Sequence, residues 1–219
     1  MEQRIAVITG DVVDSTKSPD WRELQDFMVH VLARTEKTFE RDLALPGEIF
    51  QGDSLQIVLG KPASALRAAL YLRSLFSSKE TKTRHPAFDM RVAVGIGGQA
   101  ALHSRPGLST GEAFILSGRT LEKMGKRERL RMATPDPEGT SLLEACCALL
   151  DELSARWTPK QHEAVAHALT GMRQEEIAER MHVTQGVIHR HLRSAGMPGV
   201  QAFVEYFETQ LMGAKPWNP

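Results

Sequence analysis

Two carboxylates in the first sixty residues are placed to do chemistry. Asp11 ends the apolar run IAVITGD, and Asp53 follows a glycine between the apolar stretches of FQGDSLQIVL. Paired acids at a strand end and in a hairpin can grip a divalent metal ion against a triphosphate. Spacing leaves a second reading open, in which Asp11, Asp14, Ser15 and Thr16 close an Asx turn or cap the next helix. A different chemistry is concentrated near the other end of the chain. There Thr184, Gln185, Gly186, His189, Arg190 and Arg193 share a segment, His182 to Ala195, that holds no acid. Gln and Arg side chains can each make bidentate contacts to base edges, so the partner this segment suggests is double-stranded DNA.

The elements that must present these groups can be read from apolar spacing. Ile177, Ala178 and Met181 line one face of a short helix, Val183 falls in a turn, and Val187, Ile188 and Leu192 line a second helix. This is the pattern of a helix-turn-helix, with Ala178 as the small residue at the crossing and Thr184 as N-cap of the second helix. A supporting helix precedes it, starting with Thr158 as N-cap and Pro159 at the first position and closed by Gly171. Trp157 to Gly196 resembles the DNA-binding units of sigma factor region four and of the LuxR family, including Gln161, Gly171, Glu176–Ile177–Ala178 and Gln185–Gly186. An ordinary pair of amphipathic helices is the competing reading.

Composition sets the frame for both ends. The chain has 219 residues, 42% hydrophobic and 25% charged, with a formal net charge of zero. That suits a water-soluble chain of two domains. A neutral total is unusual for a DNA binder, but the cations cluster locally where the duplex would lie. No apolar stretch reaches the length of a membrane span, and MEQRIAVITG enters a strand at once rather than reading as a signal peptide, so a cytoplasmic location is expected. Cys146 and Cys147 are neighbours inside an apolar helix, which fits packing thiols and offers no zinc framework.

Between Met1 and Ala133, strands alternate with helices. Strands are expected at IAVITGD, around the QGD turn and at MRVAVGIG; helices are expected over Trp21–Leu43, Pro62–Ser77 and Glu112–Met124, with Ser18 or Asp20 as a cap. The hairpin makes the sheet mixed. Gly95-Ile96-Gly97-Gly98-Gln99-Ala100 matches a loose dinucleotide fingerprint, for which a tight turn is the plainer explanation.

In order along the chain, the segments Thr9–Thr16, Gly52–Asp53, Arg91–Gly97 and Gly111–Arg119 resemble the signature segments of class III nucleotidyl cyclase domains. The whole chain resembles the SatD family, which joins such a domain to a C-terminal helix-turn-helix. The resemblance implies a ferredoxin-like, nucleotidyl cyclase-like α/β (α+β) domain followed by an all-α domain. It implies Mg2+ or Mn2+ held by Asp11, Asp53 and the Val12 carbonyl, and Arg119 as the residue that stabilises charge on the transferring phosphoryl group. A nucleotide would then meet Asp11, Ser15, Thr16, Asp53 and Arg119. Two departures weigh against turnover. Ile115 stands where the family has a ribose-orienting Asn, and Ile49 stands at the base-selecting position with Glu48 beside it.

The sequence therefore reads as a cyclase-like domain over 1–133, a linker and connecting helix over 134–156, and a DNA-binding domain over 157–212. The expected function is a transcription regulator, acting as a homodimer, whose first domain binds a nucleotide or a cyclic mono- or dinucleotide. The alternatives are an active metal-dependent cyclase with an accessory helix-turn-helix, and a regulator whose first domain only dimerises.

Overall fold

The computed structural model describes residues 4–15, 20–50, 52–80 and 88–213. The apolar run at the start forms β1 (Arg4–Val12), buried along nearly its whole length. Helix α1 (Trp21–Thr38) is capped by Asp20, whose carboxylate accepts the Glu23 amide at 3.0 Å. It ends earlier than the expected Leu43. A single 3-10 turn at Glu40–Asp42 intervenes, and Leu43 opens β2 (Leu43–Phe50), which carries Pro46. Asp42 fixes the change of direction: its carboxylate takes the Ser64 hydroxyl, and its carbonyl takes the Gly60 amide at 2.8 Å. The QGD turn is where the sequence places it, with Gly52 at φ +84 leading into β3 (Ser54–Leu59). Then come α2 (Ala65–Phe76), β4 (Met90–Ala101), β5 (Thr110–Gly111), α3 (Glu112–Lys123) and β6 (Leu130–Ala133).

The sheet runs in the order β2-β3-β1-β4, every neighbouring pair antiparallel, with β6 added parallel to β4. This is the β-α-β-β-α-β arrangement of a ferredoxin-like sheet. Strand alternation sorts β1 between two layers. Ala6, Ile8 and Val12 belong to the main core with α1 and α2, while Ile5 and Val7 pack with Ala113 of α3 on the other face. Thr9 and Asp11 follow Ile5 and Val7 onto that second face.

The glycines of β4 have a packing role. Gly95 and Gly97 lie inside the continuous strand, neither in a turn nor at a phosphate loop, and α3 rests directly on them. A Cβ at Gly95 would stand 2.2 Å from the Ala113 carbonyl oxygen and 2.5 Å from the Ser117 amide. The contact is sealed by Thr9, which donates to Ser117 Oγ at 3.0 Å.

Five further helices follow: α4 (Pro137–Ser154), α5 (Pro159–Leu169), α6 (Gln174–Arg180), α7 (Gln185–Ser194) and α8 (Met197–Tyr206), the last continuing into a wide turn at Phe207–Leu211. Thr158 and Gln161 form a reciprocal capping box on α5, and Gly171 past its end has φ +81. The four residues Met181–Thr184 join α6 to α7. His182 occupies the left-handed region there at φ 54, a position glycine would fill more easily. Ala178 is buried and its carbonyl accepts the Val183 amide at 3.0 Å. Thr184 sits at the N-cap with extended dihedrals, but its side chain makes no capping hydrogen bond.

These helices are fastened to the sheet layer. Leu143, Cys147 and Leu150 of α4 are buried, and Asp151 accepts the amides of Arg129 and Leu130 at the entrance to β6 at 2.7 and 3.2 Å. Arg73 of α2 donates to Ser154 Oγ at 2.6 Å. Burial pushes the Cys147 thiol far up, in keeping with an inert packing residue. A single cluster of buried side chains runs from β1 through α2 and α5 to Phe207. Among the described residues no helix is long and apolar enough to cross a membrane.

Candidate functional site

Asp11 and Asp53 come together at one end of the sheet. Asp11 lies between Ser54 on β3 and Arg91 on β4 in the strand register. Both of its oxygens are engaged: Oδ1 accepts from Ser54 Oγ at 3.2 Å, and Oδ2 forms an ion pair with the Arg91 guanidinium. Asp53, in the hairpin turn, accepts the Ser15 hydroxyl on Oδ2 at 2.6 Å, and its carbonyl accepts the Val12 amide at 3.0 Å. The Ser15 hydroxyl is thereby committed to Asp53. The Val12 side chain is buried with α1 and α2. Thr16 lies outside the described residues.

The donor set is poor for a divalent ion, because Asp11 is already paired with a guanidinium and the two acids and the arginine together keep a net charge of only about −1. Arg91 is the residue that sequence reasoning missed. Its signal was available, since it is the lone charge in the apolar run MRVAVGIG, and antiparallel pairing of that run with β1 can set it opposite Asp11.

Arg119 is not part of this cluster. It is exposed on α3 and lines a cleft of about 700 Å³ between α3, β6 and the start of α4, together with Thr120, Lys123, Arg131, Thr140 and Ser141. Arg131 is paired with Glu128 and Glu144, whereas Arg119 and Lys123 form no ion pair among the described residues. Ile115 lies on the outer side of α3 and is 52% exposed.

The third candidate surface is α7. Ile188 and Leu192 are buried, and the indole of Trp157 donates to the Ala195 carbonyl at 3.0 Å, so the inner side of the helix is fixed. Thr184, Gln185, Gly186, His189, Arg190 and Arg193 are all exposed. At helical periodicity Gly186, Arg190 and Arg193 fall opposite Ile188, with Gln185 and His189 on the flank. Among the described residues neither Arg190 nor Arg193 is paired with an acid. Partial burial, then the charges of Arg190 and Lys160, hold His191 below the usual histidine range. His189 and Arg193 also border a cavity of about 510 Å³ floored by Met172, Leu192 and Met197, with Arg67 and Glu208 at its wall.

No family model and no curated protein matches the sequence. Solved structures similar to it include a bacterial light-regulated adenylyl cyclase, at 14% identity and a TM-score of 0.43, covering 72% of this chain and 82% of that one. The monomeric guanylyl cyclase domain of a fusion protein from the aquatic fungus Blastocladiella emersonii has 13% identity and a TM-score of 0.44, covering 66% and 86%. The active GGEEF domain of a diguanylate cyclase from Vibrio cholerae has 16% identity and a TM-score of 0.36, covering 61% and 84%.

Proposed function

We propose that this chain is a DNA-binding regulator in which α7 is the reading helix. The observation that carries the reading is the division of α7 into a buried apolar side, Ile188 and Leu192, and an exposed side whose arginines are unpaired among the described residues. A free guanidinium can take both acceptors of a guanine edge, and an exposed Gln can do the same at adenine. Gly186, lacking a side chain, lets the start of the helix approach the duplex closely, while Thr184 supplies a hydroxyl for a phosphate. Cations left without acids also release counterions on binding, which makes affinity fall steeply with salt.

The sheet layer is proposed to take a nucleotide-type ligand, and the cleft lined by Arg119 and Lys123 supports that reading over the Asp11–Asp53 cluster. Arg119 and Lys123, without an acid partner among the described residues, suit a phosphate group, with the Thr120 hydroxyl beside them. Turnover is disfavoured because Asp11 is held in an ion pair with Arg91.

A homodimer completes the proposal. Leu142 and Leu149 of α4, two helical turns apart on one side, are 47% and 73% exposed, leaving an apolar strip that a second copy would cover. Because α4 is fastened to β6, a ligand between α3 and α4 would act on the helix at the centre of such a pair. Such a ligand changes DNA affinity only by its difference in affinity for the two arrangements. Fluorescence anisotropy with selected duplexes, repeated with linear, cyclic and cyclic dinucleotides, tests both parts. Absence of any nucleotide effect removes the sensing part and leaves the DNA part standing.

A further inference from the structure

We propose that Arg91 is the resident cation of Asp11, pairing from within the chain's own covalent structure the carboxylate that a divalent ion shared with Asp53 would otherwise need. The inference is independent of the DNA reading. Three observations lead to it. The register fixes Ser54, Asp11 and Arg91 as neighbours across three strands, so the guanidinium reaches Asp11 by backbone placement rather than by the accident of a long side chain. Both Asp11 oxygens are used, one by Arg91 and one by Ser54, and one Asp53 oxygen is used by Ser15. Asp11 therefore sits between the Ser54 hydroxyl on one side and the Arg91 guanidinium on the other, while Asp53 holds the Ser15 hydroxyl next along the hairpin.

The electrostatics favour the guanidinium over an exchangeable ion. Arg is always charged at ordinary pH and is tethered, so it pays no entropy of capture and cannot be removed by a chelator. Its planar fork has five donors, of which Asp11 takes one. A metal would have to share the oxygens of Asp11 with the Arg91 contact and the Ser54 hydrogen bond. Placing a dication beside that guanidinium would also set like charges within a few ångströms.

Mn2+ binding to the full chain, followed by the electron paramagnetic resonance signal of the free ion, tests the assignment. Wild type is expected to leave the Mn2+ signal unchanged. Arg91→Gln, which removes the charge and keeps a polar chain, is expected to bind Mn2+ at least about tenfold more tightly than wild type, with the gain abolished by adding Asp53→Asn. Arg91→Lys keeps a tethered cation and is expected to stay as blind to Mn2+ as wild type, and thermal melts check that each variant is folded. Saturable binding by wild type that is lost in Asp11→Asn would overturn the proposal on its own, whether or not the Arg91 variants fold. Failure of a folded Arg91→Gln to gain affinity would also overturn it, since Arg91 would then not be what keeps the ion out.

Discussion

Arg67 of α2 and Glu208 near the end of the chain form a two-pronged ion pair, Nε to Oε1 at 2.6 Å and Nη2 to Oε2 at 3.0 Å, with both side chains buried. The remaining arm of Arg67 donates to the Leu169 carbonyl at 3.0 Å, so one guanidinium ties α2 to the end of α5 and to the turn after α8. Charge buried in this way stabilises only while both partners are present.

Glu208→Ala should therefore cost about 3–5 kcal/mol, because it leaves the Arg67 charge uncompensated. The double change Arg67→Met with Glu208→Leu, which removes both charges, should recover most of that loss. Urea denaturation of the three proteins checks the order, and a Glu208→Ala protein as stable as wild type would show that the pair is not a fastening.

His162 gives the fold a dependence on acid. It is 2% exposed, its Nδ1 has no hydrogen-bond partner among the described residues, and burial, reinforced by Arg73, pulls it from 6.5 to about 3. His167, likewise buried, is pulled to about 4. Between those values and 6.5 the unfolded chain binds protons that the folded chain refuses, so stability is intact above pH 6.5 and falls as pH is lowered. Each histidine contributes a slope of about 1.4 kcal/mol per pH unit once the unfolded form is protonated. Burial raises the Asp151 carboxyl, which works in the opposite direction. The comparison with His162→Leu isolates the histidine: denaturation midpoints from pH 4.5 to 6 should fall less steeply in the variant, and an unchanged slope would refute the assignment.

Gly95→Ala should be among the most damaging single-carbon changes available. Its Cβ would meet backbone atoms of α3, which cannot swing aside as a side chain would. A loss of roughly 1–3 kcal/mol or more is expected by thermal or chemical unfolding. Gly118→Ala on the same helix, where nothing lies within 4 Å, is the control and should be neutral or stabilising.

Leu149→Glu should shift the chain towards monomer in sedimentation velocity without lowering its unfolding midpoint, since the side chain is largely exposed. A change in stability with no change in mass would place Leu149 in the fold of a single chain instead.

Much of this architecture was legible in the residues because it rests on local rules. Asp20, Thr158 and Pro159 start their helices where the sequence puts them, and Gly52 and Gly171 close a hairpin and a helix through φ values that suit glycine. What escaped depends on partners distant in sequence. The end of α1 is decided by Asp42 bonding to residues around Ser64, the glycines of β4 by the approach of α3, and Arg91 by strand register. Arg119 was placed by resemblance alone, and the fold sets it in a cleft lined by Lys123 and Arg131.

The role of α7 is tested most directly by selecting duplexes from a random library with the full chain and measuring their affinity for wild type, Arg190→Ala and Arg193→Ala. The account predicts an enriched sequence, a loss of about 1–3 kcal/mol in binding for an arginine that reads a base, a shallower salt dependence for one that meets a phosphate, and an unchanged melting temperature for both. No enriched sequence, or binding that survives both substitutions, would contradict it.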